Sequence, residues 1–376
     1  MTCIFLIAGE ASGDALGAAL MRALRERSPA IRFAGVGGEA MAGEGLVSIF
    51  PMTDIAVMGL TPVLARLPKL VARIAGAARA AIAARPDCLV IIDSPDFTHR
   101  VARKVRRALP DLPIVDYVSP TVWAWRPGRA RAMCAYVDCV LALLPFEPEA
   151  HRRLGGPRCV YVGHPLVERL GEFAPAPQGK RPLLLVLPGS RRAEIARMTP
   201  LYGEALALLL RARNDLDVAI PVAPDMDAPL REALRGWPLE PRLLSQAEKF
   251  PAFRQARAAL ATSGAATLEL ALTAVPMAVA YRVSGPESLL RFLVTAPSIV
   301  LPNLVIGENA VPEYIQEAAT PRALADALAP LLDETAARAA QLAAFRRVRA
   351  RLLEAGWRPS ARAAEVVLDY AARGRG

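Results

Sequence analysis

The chain has 376 residues and lacks any apolar run near the ~20 residues that a membrane-spanning helix needs. Its longest apolar runs, such as Val137–Phe146 and Ala274–Tyr281, have the length of strands. The first residues, Met1-Thr-Cys-Ile-Phe-Leu-Ile-Ala8, carry no basic segment and lead into a Gly-rich turn. They read as a first strand and not as a signal peptide. The five cysteines (Cys3, Cys88, Cys134, Cys139, Cys159) contain no CxxC pair and fall mostly in predicted strands, as reduced core thiols of a cytosolic protein do. Histidine is scarce, with only His99, His151 and His164. None stands at metal-ligand spacing from another or from a cysteine, so a structural zinc site is not expected. Internal repeats, low-complexity tracts and a polybasic tail are also missing.

What remains is a chain with 53% hydrophobic and 22% charged residues, which excludes a disordered composition. At ~100–200 residues per domain, two domains are expected. The 46 Lys and Arg against 36 Asp and Glu leave a net charge of +10, mostly as dispersed arginine. That excess favours nucleotides, phosphorylated substrates or an acidic membrane surface as partners. No nucleic-acid-binding motif accompanies it.

Short apolar runs alternate with Ala/Leu/Arg-rich stretches. The runs are Cys3–Ala8, Ile31–Val36, Cys88–Ile92, Ile114–Val118, Cys139–Leu143 and Cys159–Val162, then Leu183–Leu187, Val218–Pro221, Arg242–Leu244, Ala258–Thr262 and Met277–Tyr281. Strands apolar on both faces between amphipathic helices predict parallel sheets, in a doubly wound α/β pattern that occurs twice. The segment Glu168–Arg181, with two Pro and two Gly, reads as the linker. The expected domains are residues 1–170, residues 171–350 and a C-terminal helical segment 351–376 that could return to the first domain. In such sheets ligands bind beyond the carboxyl ends of the strands, so the residues after each strand are the candidates.

After the first strand, Gly9-Glu10-Ala11-Ser12-Gly13-Asp14 is neither GxGxxG nor a Walker A loop, so NAD and ATP lose support. Ser12 reads either as a helix N-cap or as a ligand contact, and Glu10 as a carboxylate at a strand tip. The strand ending at Ile92 delivers Asp93, a candidate general base. Asp96 reads better as a helix-start acid. The loop Trp123-Ala-Trp125-Arg126 could stack on a sugar or face a lipid, although at least one Trp reads as core filler. His164, between Gly163 and Pro165, could donate to substrate oxygens.

In the second half, Gly189-Ser190-Arg191 before a helix reads as a pyrophosphate clamp or as a surface basic pair. Ser263-Gly264-Ala-Ala-Thr267 is a second small-residue turn, and Glu269 could hold a ribose diol or simply be solvated. Asn303 and the turn Gly307-Glu308-Asn309 look like a loop over a ligand, and Pro312–Glu317 like a helix start. Between Met58 and Arg85, Leu64, Leu67, Leu70, Val71 and Ile74 fall at helical spacing among Arg66, Lys69, Arg73 and Arg79. The C-terminal half of that stretch reads as a core helix, the N-terminal half as a surface for an anionic membrane.

Nine strings in order resemble the lipid-A-disaccharide synthase family, glycosyltransferase family 19 of the GT-B fold. They are Ala8–Asp14, Ala56–Leu60, Ile92–Phe97, Tyr117–Arg126, Leu144-Pro-Phe-Glu147, Gly163-His164, Leu187–Arg191, Ser263-Gly264 with Glu269, and Leu301–Leu304. The resemblance implies two Rossmann-like domains facing a cleft and no metal or cofactor. It implies an inverting transfer of 2,3-diacylglucosamine from UDP-2,3-diacylglucosamine to the 6-hydroxyl of 2,3-diacylglucosamine 1-phosphate (lipid X). Products would be the lipid A disaccharide 1-phosphate and UDP. A cytoplasmic enzyme peripheral to the inner membrane of a Gram-negative bacterium is implied, with a homodimer left open. Glu10, Asp93, Arg191 and Asn303 carry over as active-site residues, and Glu269 as the ribose ligand. Two other readings stay open: a UDP-sugar 2-epimerase or other GT-B enzyme, and a non-catalytic binding protein.

Overall fold

Strands form where the chain is continuously apolar, and alternate side chains leave each strand on opposite faces. In β1 (Cys3–Ala8), Ile4, Leu6 and Ala8 join a core with Leu16, Leu20 and Leu24, while Phe5 and Ile7 join another with Ala77, Val101 and Val105. The computed structural model describes residues 2–55, 60–174, 176, 179, 181–283, 296–354 and 356–373, with no side-chain description for 60–66. The motif Ala56–Leu60 and the side chain of Leu64 therefore lie outside the described residues.

The chain divides into two compact units, Met1–Val167 with Ala355–Gly376, and Glu168–Glu354. The first holds β1, β2 (Arg32–Val36), β3 (Cys88–Ile92), β4 (Ile114–Tyr117), β5 (Cys139–Ala142) and β6 (Arg158–Tyr161), in the order β2-β1-β3-β4-β5-β6 with parallel pairing. The second holds β7 (Leu183–Leu187), β8 (Asp217–Pro221), β9 (Arg242–Leu244), β10 (Ala256–Thr262), β11 (Met277–Tyr281) and β12 (Glu313–Ile315), in the order β12-β11-β10-β7-β8-β9, also parallel. Both are doubly wound α/β sheets.

The last helix, Pro359–Arg373, lies against helix Ala11–Arg27 and adds Ala363, Val367 and Ala371 to the core of the first unit. Trp357 Nε1 donates to the Val162 carbonyl at 3.0 Å, fixing the chain where it enters that helix.

Two expectations need correction. Pro312–Glu317 does not start a helix, because Glu313–Ile315 pairs with β11 as an edge strand. The Gly307-Glu308 turn is not a free loop. Gly307, at φ +72°, caps helix Leu301–Ile306, and Glu308 is held by Arg347 at 2.6 and 2.8 Å.

In each sheet the strand order reverses once, between β1 and β3 in the first unit and between β7 and β10 in the second. At such a reversal the connections leave in opposite directions, and a crevice opens past the strand ends.

Candidate active site

At the first reversal, Ala8 of β1 lies opposite Ile92 of β3, so the tips Gly9-Glu10 and Asp93-Ser94 are neighbours. They approach so closely that a Cβ on Gly9 would stand 2.4 Å from Ser94 Cβ. Asp93 and Ser94 both hold left-handed backbone, with φ of +53° and +45°. Each costs ~1–3 kcal/mol, and such strain persists where the surroundings over-determine the chain. Asp93 Oδ1 accepts from the Ser94 N–H at 2.7 Å, and Oδ2 from the Ser12 hydroxyl at 3.2 Å. Ser12 is therefore a partner of the expected base. It is not the N-cap of Ala11–Arg27; Glu10 holds that position with extended backbone. Asp96 sits in the first turn of Pro95–Ala108 and pairs with Arg129 at 3.1 Å.

The next tip is also strained, since the β-branched Val118 has φ +88°. In the loop beyond it the two tryptophans part company. Trp123 packs edge-on against Phe146 and donates to Glu147 Oε1 at 3.2 Å, which makes it the packing plug. Trp125 is 38% exposed, with the Arg126 guanidinium 4.1 Å from its ring. Past β6, His164 Nδ1 accepts from the Leu166 N–H at 3.2 Å. Burial holds the ring's pKa down to about 4. At neutral pH the ring is uncharged, so its proton belongs on Nε2, a donor.

At the second reversal, Gly189 follows β7 with φ +120°. A Cβ there would lie 2.5 Å from Glu194 Cβ, so both conformation and space require glycine. The helix Arg192–Ala212 starts after Arg191, whose side chain is 60% exposed. Glu194 Oε2 accepts from the Ser190 N–H at 3.1 Å, and Oε1 faces Arg191 Nη1 at 3.4 Å.

Beyond β10, Ser263 Oγ donates to the Ile299 carbonyl at 2.6 Å, while Gly264 is exposed. Glu269 lies in the first turn of Ala266–Leu272, its Oε2 2.6 Å from Lys249 Nζ. Two of the expected contact residues turn inward. Thr267 is fully buried and donates to the Gly264 carbonyl at 2.8 Å, so it holds the turn. Asn303 is 1% exposed, and its amide is occupied internally: Nδ2 donates to the Val311 carbonyl and Glu313, and Oδ1 accepts from the Val311 N–H. It ties helix Leu301–Ile306 to β12.

A family model described as lipid-A-disaccharide synthetase matches residues 4–366. The chain belongs to the lipid-A-disaccharide synthetase family. Lipid-A-disaccharide synthase of Rhodopseudomonas palustris BisB18 is 54% identical over 97% of this chain and 94% of its own. That of Nitrobacter hamburgensis is 52% identical over 99% and 96%. Among solved structures, a UDP-GlcNAc 2-epimerase from Neisseria meningitidis matches with a TM-score of 0.63 at 10% identity, covering 98% and 99% of the two chains. MurG of Acinetobacter baumannii gives 0.56 at 12%, covering 98% and 100%. These neighbours share the GT-B fold. As a synthetase of this family the protein is a glycosyltransferase that makes the lipid A disaccharide, with a UDP-sugar donor and a lipid X acceptor.

Several buried groups in this synthetase escaped the reading of its sequence. Asp14, 5% exposed, accepts from the N–H groups of Gly38, Ala40 and Met41 at 2.7, 2.8 and 3.1 Å. Asp116 Oδ2 meets His99 Nε2 at 3.0 Å, and His99 Nδ1 meets the Tyr136 hydroxyl at 3.1 Å. Burial pushes the Asp116 carboxyl up, against the pull of His99. An acid inside the apolar run Ile114–Val118 was the available signal. Glu147 is 4% exposed, and burial raises its pKa to about 7 although the Leu144 N–H and Trp123 donate to it. Glu194 and Lys249 were visible only as ordinary surface charges.

Proposed function

We propose that Asp93 is the general base of this transfer and that the first unit holds the acceptor sugar. The observation that carries the reading is the position of the expected polar residues. Glu10 and Asp93 flank the sheet reversal of one unit, and Gly189-Ser190-Arg191 and Ser263-Gly264 flank that of the other. Asp93 takes the proton from the 6-hydroxyl of 2,3-diacylglucosamine 1-phosphate as that oxygen bonds to the anomeric carbon of UDP-2,3-diacylglucosamine. The bond from that carbon to the diphosphate breaks, UDP leaves with the electron pair, and the configuration inverts. A primary hydroxyl is a poor nucleophile at neutral pH, so a positioned base is worth about 10²–10⁴-fold. Ser12 and the Ser94 N–H donate to Asp93 and aim its carboxylate. Glu10 holds acceptor hydroxyls, with His164 Nε2, Trp125 and Arg126 available to the sugar and its phosphate. Arg191 and the Ser190 N–H meet the diphosphate, and Glu269, steadied by Lys249, accepts from the ribose.

The acylated substrates reach the enzyme from the cytoplasmic face of the inner membrane, to which it binds peripherally. Among the described residues no helix is long and apolar enough to cross a membrane. On helix Leu60–Ala84, however, Leu67 is 45% and Val71 54% exposed, one turn apart on one face. Of the basic residues in that stretch, Lys69 and Arg73 pair with Asp54 at 2.6 Å each.

Purified protein given UDP-2,3-diacylglucosamine tests the reading. UDP should appear only when lipid X is also present, together with a disaccharide phosphate. UDP release without acceptor would favour epimerase-type chemistry.

A further inference from the structure

The donor turn of the second unit already contains an anion. Glu194 reaches back from the third residue of helix Arg192–Ala212, past the N-cap Arg191, and accepts from the Ser190 N–H at 3.1 Å. Its other oxygen lies 3.4 Å from Arg191 Nη1, and its side chain is only 12% exposed. The arm lies so close over Gly189 that any Cβ there would meet its Cβ at 2.5 Å and its Oε2 at 2.7 Å. A carboxylate oxygen and a phosphate oxygen ask for the same partners, a backbone N–H at a helix start and a guanidinium. Both cannot use the Ser190 N–H at once.

We infer that Glu194 is a positioning residue that competes with the donor diphosphate for Ser190 and Arg191. It fills the seat in the free enzyme, swings out when the nucleoside diphosphate binds, and returns to help expel UDP after transfer. This rests on the assignment of the Gly189–Arg191 turn to the donor. The competition has two physical sources. The carboxylate must give up a charge-assisted hydrogen bond, and afterwards it stands as a negative charge beside the bound diphosphate.

The test is titration calorimetry of the full chain with UDP, for the parent, Glu194→Gln, Arg191→Ala and the double variant, with Glu194→Ala as a second removal of the carboxylate. Losing the competitor should tighten UDP about threefold to tenfold, since a charged hydrogen bond to a partly exposed turn is at stake. In turnover it should lower the donor KM and lower kcat, because product release slows, a split that simple loss of turn structure would not produce. Unchanged or weaker UDP binding in both Glu194→Gln and Glu194→Ala would overturn the inference and make Glu194 an anchor of the turn. Arg191→Ala separates this from the donor assignment: weaker UDP binding keeps the assignment whatever Glu194 does. UDP binding unaffected by Arg191→Ala and by both Glu194 variants would remove the assignment and the inference together.

Discussion

Replacing Glu147 with glutamine perturbs a carboxyl that is 4% exposed and receives the Trp123 and Leu144 N–H groups. Burial raises its pKa from 4.5 to about 7. The folded protein therefore keeps this proton over a range in which the unfolded chain has lost it. By linkage, stability falls as pH rises through that range: the contribution is complete below about 4.5 and gone above about 7. At about 1.4 kcal/mol per pH unit, the loss is on the order of 3 kcal/mol. Glutamine is uncharged at every pH and should remove this slope. Urea unfolding at several pH values between 5 and 8, followed by tryptophan fluorescence, measures it. Because other groups titrate in both proteins, the quantity to plot is the stability of Glu147→Gln minus that of the parent. That difference should climb with pH and level off above neutrality. Trp123, in contact with the group, should show the same titration in its emission. A difference that stays flat from pH 5 to 8 would refute the reasoning and mean that the carboxyl ionises normally in spite of its burial.

Asp14→Ala should lower stability by more than ~3 kcal/mol, because three backbone N–H groups lose their acceptor; a urea midpoint like the parent's would contradict this. Leu67→Ser with Val71→Ser should weaken binding to anionic vesicles and slow turnover of vesicle-borne acceptor while sparing thermal stability, since both side chains are exposed. Unchanged vesicle binding would assign the membrane surface elsewhere.

The strands were legible because a parallel strand is buried on both faces. Cys3–Ala8, Cys88–Ile92, Leu183–Leu187 and Met277–Tyr281 match the apolar runs residue for residue. Strand β12 was not legible, because an edge strand of Glu-Tyr-Ile behind a proline has no apolar run to show. The path of the last helix was equally silent, since an apolar stripe on a helix fits either doubly wound sheet. Polar residues at strand tips stand out where the apolar pattern stops, which is how Asp93 and Arg191 could be singled out. The direction of a side chain within a turn does not stand out. Asn303 and Thr267 have the right chemistry for a ligand but turn inward to Val311, Glu313 and Gly264. Pairings across the chain were hidden for the same reason: nothing near Asp54 announces Lys69 and Arg73, and nothing near Asp116 announces His99.

The central claim is that Asp93 removes the acceptor proton, and the most direct measurement is single-turnover formation of the disaccharide by Asp93→Asn beside Glu10→Gln. The asparagine is nearly isosteric and cannot act as a base. It should slow the chemical step at least about a hundredfold, with binding of UDP and of acceptor retained. Glu10→Gln should act mainly on acceptor binding. If Asp93→Asn keeps most of its rate while Glu10→Gln loses it, the account is contradicted and Glu10 is the base.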